Sequence, residues 1–196
     1  MDRDHTDSLL PAVNKHADIA DWYAVRVNAH TEHRAASALV GKGFESYLPQ
    51  FCQYRYWGQR VRKVQRALFP GYVFACFNPN DRLPILTIPG VAYIVGTSQG
   101  PTPVDVAELA AVRRIAESDA LAEPYPFLTK GDWVALADGP LRGLRGRLVS
   151  IGPDFRVVVS ISLLQRSIAV TVDRRWLRPA AEGEWDCDSV AMSYPS

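Results

Sequence analysis

A proline-bearing stretch divides this chain of 196 residues into two parts with different patterns. Residues 119–127 carry Pro124 and Pro126, which stiffen an extended chain and disfavour a helix. Before this stretch, candidate strands alternate with candidate helices. After it, short β-branched runs follow one another with turn signals between them. The pattern therefore predicts two small domains joined by a linker at residues 119–127.

The first part predicts a mixed α+β domain over residues 21–118. Aromatic and β-branched residues indicate five strands, at residues 22–27, 44–48, 51–57, 67–77 and 91–95. Thr31 precedes a first candidate helix, and Asp105 with Glu108 forms a capping-box signal in front of the last one. With a short helix after Asp81, the order β-α-β-β-β-α-β-α fits a ferredoxin-like αβ sandwich.

The second part predicts a small all-β barrel over residues 128–180. Strands are expected at residues 133–137, 147–151, 155–161 and 168–172, with Gly- and Pro-containing turns between them. Many of these residues are β-branched, which disfavours a helix, so we expect a permanent barrel. Residues 1–20 read as a flexible lead and residues 181–196 as an acidic tail.

Composition excludes several classes of protein. Hydrophobic residues make up 47% and charged residues 22%, which is typical of a globular chain. No apolar run approaches the roughly 20 residues of a membrane helix, and the acidic lead lacks a signal-peptide core, so we expect a cytoplasmic protein. Neither the three cysteines nor the His30–His33 pair has metal-site spacing. No nucleophile–base pattern stands out, so we expect no enzyme, cofactor or metal.

A basic segment is the first candidate binding site. No Asp or Glu occurs between residues 46 and 80, and five cations lie within that range: Arg55, Arg60, Arg62, Lys63 and Arg66. The segment is either a solvated surface hairpin or a contact for nucleic-acid phosphates, with Tyr54, Tyr56 and Trp57 available to stack on unpaired bases. Arg82 is a weaker candidate for the same surface.

The run Leu68-Phe69-Pro70-Gly71-Tyr72-Val73-Phe74 is the second candidate site. Alternation along a strand places Tyr72 and Phe74 on one face. Most strand aromatics belong to a core, but an exposed pair would form a docking patch for a protein.

Several motifs, in this order, resemble the NusG family, whose members join an N-terminal NGN domain to a C-terminal KOW domain. They are WYAVRV, LFPGYVF, IPGVAYIV and GDWVALADGPLRGLRGRLVSI, and the resemblance covers about residues 21–178. It implies a ferredoxin-like domain, then an SH3-like barrel with Gly146 in the central glycine position of the KOW motif. It also implies a monomeric, non-enzymatic transcription elongation or antitermination factor.

The resemblance also implies partners and site residues. The NGN domain would bind the clamp helices of the largest RNA polymerase subunit through an exposed patch on this strand and the later GV strand: Phe69, Tyr72, Phe74 and either Tyr93 or Ile94. The basic segment and Arg82 would lie beside upstream or non-template DNA. The barrel would recruit a small-subunit ribosomal protein or Rho through Leu163 and Leu164.

The barrel turn separates this chain from the general NusG pattern. Its Leu163-Leu164-Gln165-Arg166-Ser167 sequence resembles specialised paralogues of the UpxY and RfaH types, which act as operon-specific antiterminators. A general NusG elongation factor is the alternative. From another class, a ribosome-associated KOW protein that binds RNA also remains open.

Overall fold

The computed structural model describes residues 20–57, 60–118, 120–127, 131–151 and 154–181. Nearly all of the predicted lead (1–20) and acidic tail (181–196) lies outside these residues. Within the described part of the chain, no helix is long and apolar enough to cross a membrane.

The N-terminal part alternates strands and helices, as the sequence predicts. Its elements are β1 (Asp21–Val27), α1 (Glu32–Gly41), β2 (Glu45–Tyr47), β3 (Gln50–Trp57), β4 (Arg60–Ala67), β5 (Tyr72–Phe77), α2 (Leu83–Leu86), β6 (Val91–Ile94), β7 (Gly96–Thr97), β8 (Gly100–Pro101) and α3 (Val106–Glu117). Four of the strands form an antiparallel sheet in the order β2-β5-β1-β6. This mixed sheet-and-helix domain confirms the predicted fold class.

The two faces of this sheet are covered by different helices. Alternate residues of β1, such as Tyr23 and Val25, belong to a buried cluster with Leu39 of α1 and Ile85 of α2. On the opposite face, Ala24 belongs to a second cluster that includes the buried residues of α3, which are Leu109, Ala111, Val112 and Ile115. The period-two pattern of β1 is therefore the result of two separate cores.

Only half of the predicted capping box forms at the start of α3. The Asp105 carboxylate accepts hydrogen bonds from the backbone N–H groups of Ala107 and Glu108, at 2.7 and 3.1 Å. This arrangement satisfies two of the amides that a helix leaves unpaired. The Glu108 side chain does not complete the box, because it bonds to Ser162 in the C-terminal part.

The basic segment forms a long two-stranded ribbon, whose second strand, β4, is absent from the five strands that the sequence predicted. Strands β3 and β4 pair along their whole length, from Gln50 opposite Ala67 to Trp57 opposite Arg60. The strand predicted over residues 67–77, with an interruption at Pro70-Gly71, is divided there: β4 ends at Ala67 and β5 begins at Tyr72. Charged residues can occupy β4 because the backbone hydrogen bonds of a ladder do not depend on the side-chain type.

The C-terminal part is a six-stranded antiparallel sheet with the order β14-β10-β11-β12-β13-β9, here called the barrel sheet. Its strands are β9 (Ala122–Tyr125), β10 (Trp133–Leu136), β11 (Arg145–Ile151), β12 (Asp154–Ile161), β13 (Arg166–Val172) and β14 (Leu177–Pro179). This strand-rich unit agrees with the predicted SH3-like class. The predicted linker needs correction, because its residues 122–125 pair with β13 as an edge strand. Pro124 is tolerated there because an edge strand has one unpaired side.

The two parts share one continuous apolar cluster. Ala24 and Phe74 of the first sheet, Val112 and Ile115 of α3, and Ile161 of the barrel sheet all belong to it. Helix α3 contacts β12 directly. It therefore packs between the N-terminal sheet and the barrel sheet, and its buried side chains share one apolar cluster with both.

We predict that Gly146→Ala destabilises the barrel sheet. A Cβ at position 146 would lie 2.6 Å from both Val157 Cγ1 and the Val158 carbonyl oxygen. Because backbone must move to admit it, the free energy of unfolding should fall by about 1–3 kcal/mol. Urea unfolding followed by tryptophan fluorescence measures this change.

The matched control is Gly41→Ala, at the end of α1, where an added Cβ meets nothing within 4 Å. It should leave the free energy of unfolding unchanged or raise it by up to about 1 kcal/mol. Equal unfolding curves for both variants would contradict the close packing at Gly146.

Candidate functional site

A tight turn that requires glycine precedes the aromatic strand β5. Gly71 has φ of 83°, and its N–H donates to Glu32 Oε1 at 2.8 Å. A Cβ at position 71 would lie only 2.4 Å from Arg26 Nη1. Glycine therefore serves both the left-handed backbone and the close approach of the Arg26 guanidinium.

Phe69 and Phe74 are buried, so the expectation that both rings lie on an exposed patch was wrong. Their exposed fractions are 1% and 0%, and their ring centroids lie 5.9 Å apart in an edge-to-face arrangement. Both belong to the apolar cluster that contains α3 and the barrel core. Tyr72 and Phe74 do share a sheet face, as alternation predicts, but packing covers only the Phe74 end of it. Tyr72 is half-buried, so only Phe69 and Phe74 of the three predicted aromatic residues on this segment are enclosed in the core.

Three residues on neighbouring strands form a row across the uncovered end of this face, here called the Tyr–Arg–Tyr row. Arg26 of β1 lies opposite Tyr72 of β5 on one side and opposite Tyr93 of β6 on the other. The Arg26 guanidinium carbon lies 4.8 Å from the centroid of the Tyr72 ring. Tyr93 is 52% exposed, which is high for a large ring. The row presents two rings and one cation to the outside.

Strand alternation puts Tyr93 rather than Ile94 on this face, and a β-bulge follows directly after Tyr93 in the pairing with β1. The register between β1 and β6 shifts after the Arg26–Tyr93 pair, so that Val27 lies opposite Val91. One extra residue, Ala92, therefore lets Val91 face the helices while Tyr93 faces outward beside Arg26. Ile94 pairs with Val25 and packs against the helix-side cluster, so it lies on the other face from the row.

Sequence reasoning missed Arg26. The one signal in the sequence is an arginine within the otherwise apolar run WYAVRV. Its neighbours across the sheet, Tyr72 and Tyr93, are far away along the chain, so no short motif shows that the three side chains share a face.

The basic ribbon carries most of the candidate nucleic-acid residues. Arg62 and Arg66 are exposed on β4. The register sets Arg55 opposite Arg62 and Tyr54 opposite Lys63. Strand alternation assigns positions 55, 60, 62 and 66 to one face of the ribbon and position 63 to the other. The side chains of Arg55, Arg60 and Lys63 lie outside the described part of the structure.

Arg82 does not extend the basic ribbon. It is exposed and directly precedes α2, which packs against β6. Strand β6 is the edge of the sheet opposite to β2, the strand that leads into the ribbon. Arg82 therefore lies near the sheet edge that is farthest from the start of the ribbon.

The candidate partner turn of the barrel packs against α3. Leu164 is 6% exposed and Leu163 is half-buried, so the prediction of an exposed leucine pair was wrong for Leu164. The Ser162 N–H and hydroxyl both donate to the Glu108 carboxylate, at 3.0 and 2.6 Å. Leu164 joins the same apolar cluster as Leu109 and Ile115 of α3.

A second polar contact, further along α3, joins the helix to the barrel sheet. The Arg114 guanidinium donates to the Arg142 carbonyl in the loop before β11.

Burial raises the pKa of Glu108, although the two hydrogen bonds from Ser162 act in the opposite direction. The partly buried carboxylate therefore depends on Ser162 to replace its lost hydration.

Comparisons with known proteins agree on one family. A family model described as "Transcription termination factor nusG" matches residues 20–113. The "Transcription termination/antitermination protein NusG" of Yersinia pestis is 31% identical over 121 residues, covering 59% of this chain and 66% of that protein. The Vibrio vulnificus protein of the same name is 28% identical over 168 residues, covering 78% of this chain and 91% of its own length.

The chain belongs to the NusG family. A solved structure described as "Domain interaction in Thermotoga maritima NusG" shares the fold, with a TM-score of 0.55 at 23% identity. The match covers 83% of this chain and 98% of that one. The NusG family model spans the Tyr–Arg–Tyr row and the basic ribbon, both of which lie within residues 20–113. The barrel turn at Ser162 lies beyond that model.

We predict that Glu108→Ala loosens the contact between α3 and the barrel turn of this NusG-family chain. The variant removes the acceptor of both Ser162 hydrogen bonds. Amide hydrogen exchange in residues 160–166 should become about three to ten times faster, as expected for the loss of roughly 1 kcal/mol. Mass spectrometry of the intact protein in exchange buffer measures the rate by peptide.

Glu117→Ala is the matched control, since Glu117 is an exposed carboxylate at the other end of the same helix. It should leave exchange in residues 160–166 unchanged. If Glu108→Ala behaved like this control, the Glu108–Ser162 contact would not hold the turn.

Proposed function

We propose that this NusG-family protein is a transcription elongation or antitermination factor that binds RNA polymerase through its N-terminal domain, residues 21–118. The supporting observation is the exposed Tyr–Arg–Tyr row within the stretch that matches the NusG family model. Large exposed rings beside an arginine are typical of protein interfaces. The partner is the pair of clamp helices in the largest polymerase subunit.

The burial of Phe69 and Phe74 changes which atoms do the docking. Tyr72 and Tyr93 supply the contact surface, while the two phenylalanine rings pack against each other in the apolar cluster beside Tyr72. A rigid sheet that holds the rings in place lowers the entropy lost on binding. The function is mechanical: the bound factor holds the polymerase clamp closed and suppresses pausing or termination, and no catalytic residue takes part.

The basic ribbon is the proposed nucleic-acid contact. Its two paired strands are eight residues long each, and Arg62 and Arg66 are exposed on β4. Backbone phosphates of upstream or non-template DNA suit this charge, because contact releases counterions without a need for base reading.

The C-terminal domain, residues 128–180, is proposed to recruit a second factor, either a small-subunit ribosomal protein or Rho. Half-buried Leu163 is available in the packed arrangement, whereas Leu164 is covered. Recruitment that uses both leucines therefore requires the contact with α3 to open. The Leu163–Ser167 turn favours a specialised, operon-specific role of the UpxY or RfaH type over general elongation.

We predict that Tyr72→Ala weakens binding to core RNA polymerase by about tenfold or more, because it removes a half-exposed ring from the centre of the interface. Fluorescence anisotropy of the labelled full-length protein, titrated with core enzyme, measures the affinity. Tyr72→Phe is the control, and it should bind within about twofold of the original because the ring remains. Phe74→Ala is unsuitable for this test, since the loss of its buried ring costs about 3–5 kcal/mol of stability.

Binding by Tyr72→Ala that equals the original would contradict docking through this face. A protein that bound free ribosomal RNA tightly, with a steep salt dependence, but did not bind polymerase would instead support the ribosome-associated alternative.

We predict that the double variant Arg62→Gln/Arg66→Gln weakens binding to polymerase assembled on forked DNA, but not to core enzyme alone. Two lost phosphate contacts should reduce the slope of log K against log salt by about 1.4–1.8. Titration at several salt concentrations measures the slope. The control Arg34→Gln/Lys42→Gln removes two exposed cations from α1 and from the residue that follows it, neither of which belongs to the ribbon, and should leave the slope unchanged. Equal slopes for both double variants would contradict a contact between Arg62 and Arg66 of the ribbon and DNA phosphates.

A further inference from the structure

Arg26 is placed as a fixed cation between two rings. The sheet register puts it directly opposite Tyr72 and Tyr93, and its guanidinium lies against the Tyr72 ring. Cross-strand neighbours in an antiparallel sheet are close enough for their side chains to act together. The three side chains therefore form one surface although they come from three separate stretches of chain.

Several features of the fold hold this surface in place. Gly71 leaves the space that the guanidinium occupies, and Arg26 Nη1 also lies 3.5 Å from the Pro70 carbonyl oxygen. The register between β1 and β6 pairs Tyr93 directly with Arg26, so both side chains lie on the same side of the sheet. An arginine that is oriented before binding loses little side-chain entropy when a partner arrives.

The charge of Arg26 is not neutralised within the described part of the protein. No carboxylate there forms an ion pair with it, and its recorded contacts are the Tyr72 ring and the Pro70 carbonyl. Glu32, the first residue of α1, uses its Oε1 to accept the N–H of Gly71. The guanidinium fork is therefore available to an anion from outside.

Protein carboxylate suits this row better than a nucleic-acid phosphate. Affinity for nucleic acid grows with the number of cations that contact phosphates, and the row contains a single one. One face of the Tyr72 ring already has the guanidinium beside it, which leaves less of the ring for stacking with a base. A planar guanidinium binds a carboxylate through two parallel hydrogen bonds, and tyrosine and arginine are enriched at the centres of protein interfaces.

We propose that Arg26 is a specificity-determining residue of the docking surface: it binds a carboxylate on the polymerase, while Tyr72 and Tyr93 pack on apolar side chains beside that carboxylate. This inference rests on the proposed function, since it names the chemistry of the partner at the same surface. The partner surface is thus an acidic side chain within an apolar patch.

The test compares full-length variants for binding to core RNA polymerase by fluorescence anisotropy. Arg26→Glu should weaken binding by about tenfold to hundredfold, because two carboxylates then face each other. Arg26→Gln should weaken it less, and Arg26→Lys should retain part of the affinity because the charge remains without the planar fork. The salt dependence of binding should be shallower for Arg26→Gln than for the original protein.

Arg34→Glu is the matched control, with the same charge change at an exposed position of α1 on the opposite side of the sheet. It should bind polymerase within about twofold of the original. Thermal unfolding of every variant separates a loss of docking from a loss of fold. If Arg26→Glu is poorly folded, Arg26→Gln and Tyr93→Ala carry the test, since both omit the reversed charge.

The outcomes distinguish this inference from the proposed function. If the original protein fails to bind core polymerase, the proposed function falls and the inference with it. If the original protein binds core polymerase, and both Arg26→Glu and Arg26→Gln bind as tightly as the original, only the inference is overturned. It is also overturned if the Arg26 variants keep their affinity for core enzyme but lose affinity for a forked DNA probe, because the row would then contact nucleic acid.

Discussion

The packing of α3 between two β-sheets determines which surfaces of this protein remain available. One helix contributes Leu109, Val112 and Ile115 to a cluster that includes Phe74 of the N-terminal sheet and Ile161 of the barrel sheet. Burial of this many apolar side chains dominates any single polar contact at the same boundary. The same helix therefore covers part of strand β5 and part of the barrel turn, although these lie in different parts of the chain.

This packing explains why alternation predicted the face of the aromatic strand but not its exposure. Tyr72 and Phe74 differ by two positions, so period-two reasoning treats them alike. Phe74 lies within the covered area and is fully buried, whereas Tyr72 lies at its edge beside Arg26. Where a cover ends depends on the placement of a helix some 35 residues later, and no local pattern carries that information.

The parts of the fold that the sequence predicted are those set by local patterns. Residue type and spacing predicted strand β1, the Asp105 cap of α3 and the β-branched strands of the barrel. The ribbon strand β4 was missed because its sequence, Arg60–Ala67, is rich in charged residues and lacks the apolar alternation that marks a half-buried strand. Strand β9 was missed because Pro124 reads as a linker, although an edge position accepts it.

The two candidate protein contacts of this NusG-family chain have different energetic requirements. The Tyr–Arg–Tyr row is presented in the packed arrangement, with Tyr93 half-exposed, so a partner can reach it without any rearrangement. Leu164 is covered, and exposing it means separating an apolar contact and the Glu108–Ser162 hydrogen bonds. A partner of the row therefore needs only its own binding energy, whereas a partner of Leu164 must also offset the cost of opening. Affinity for the second partner is reduced by the fraction of molecules in which that contact is closed.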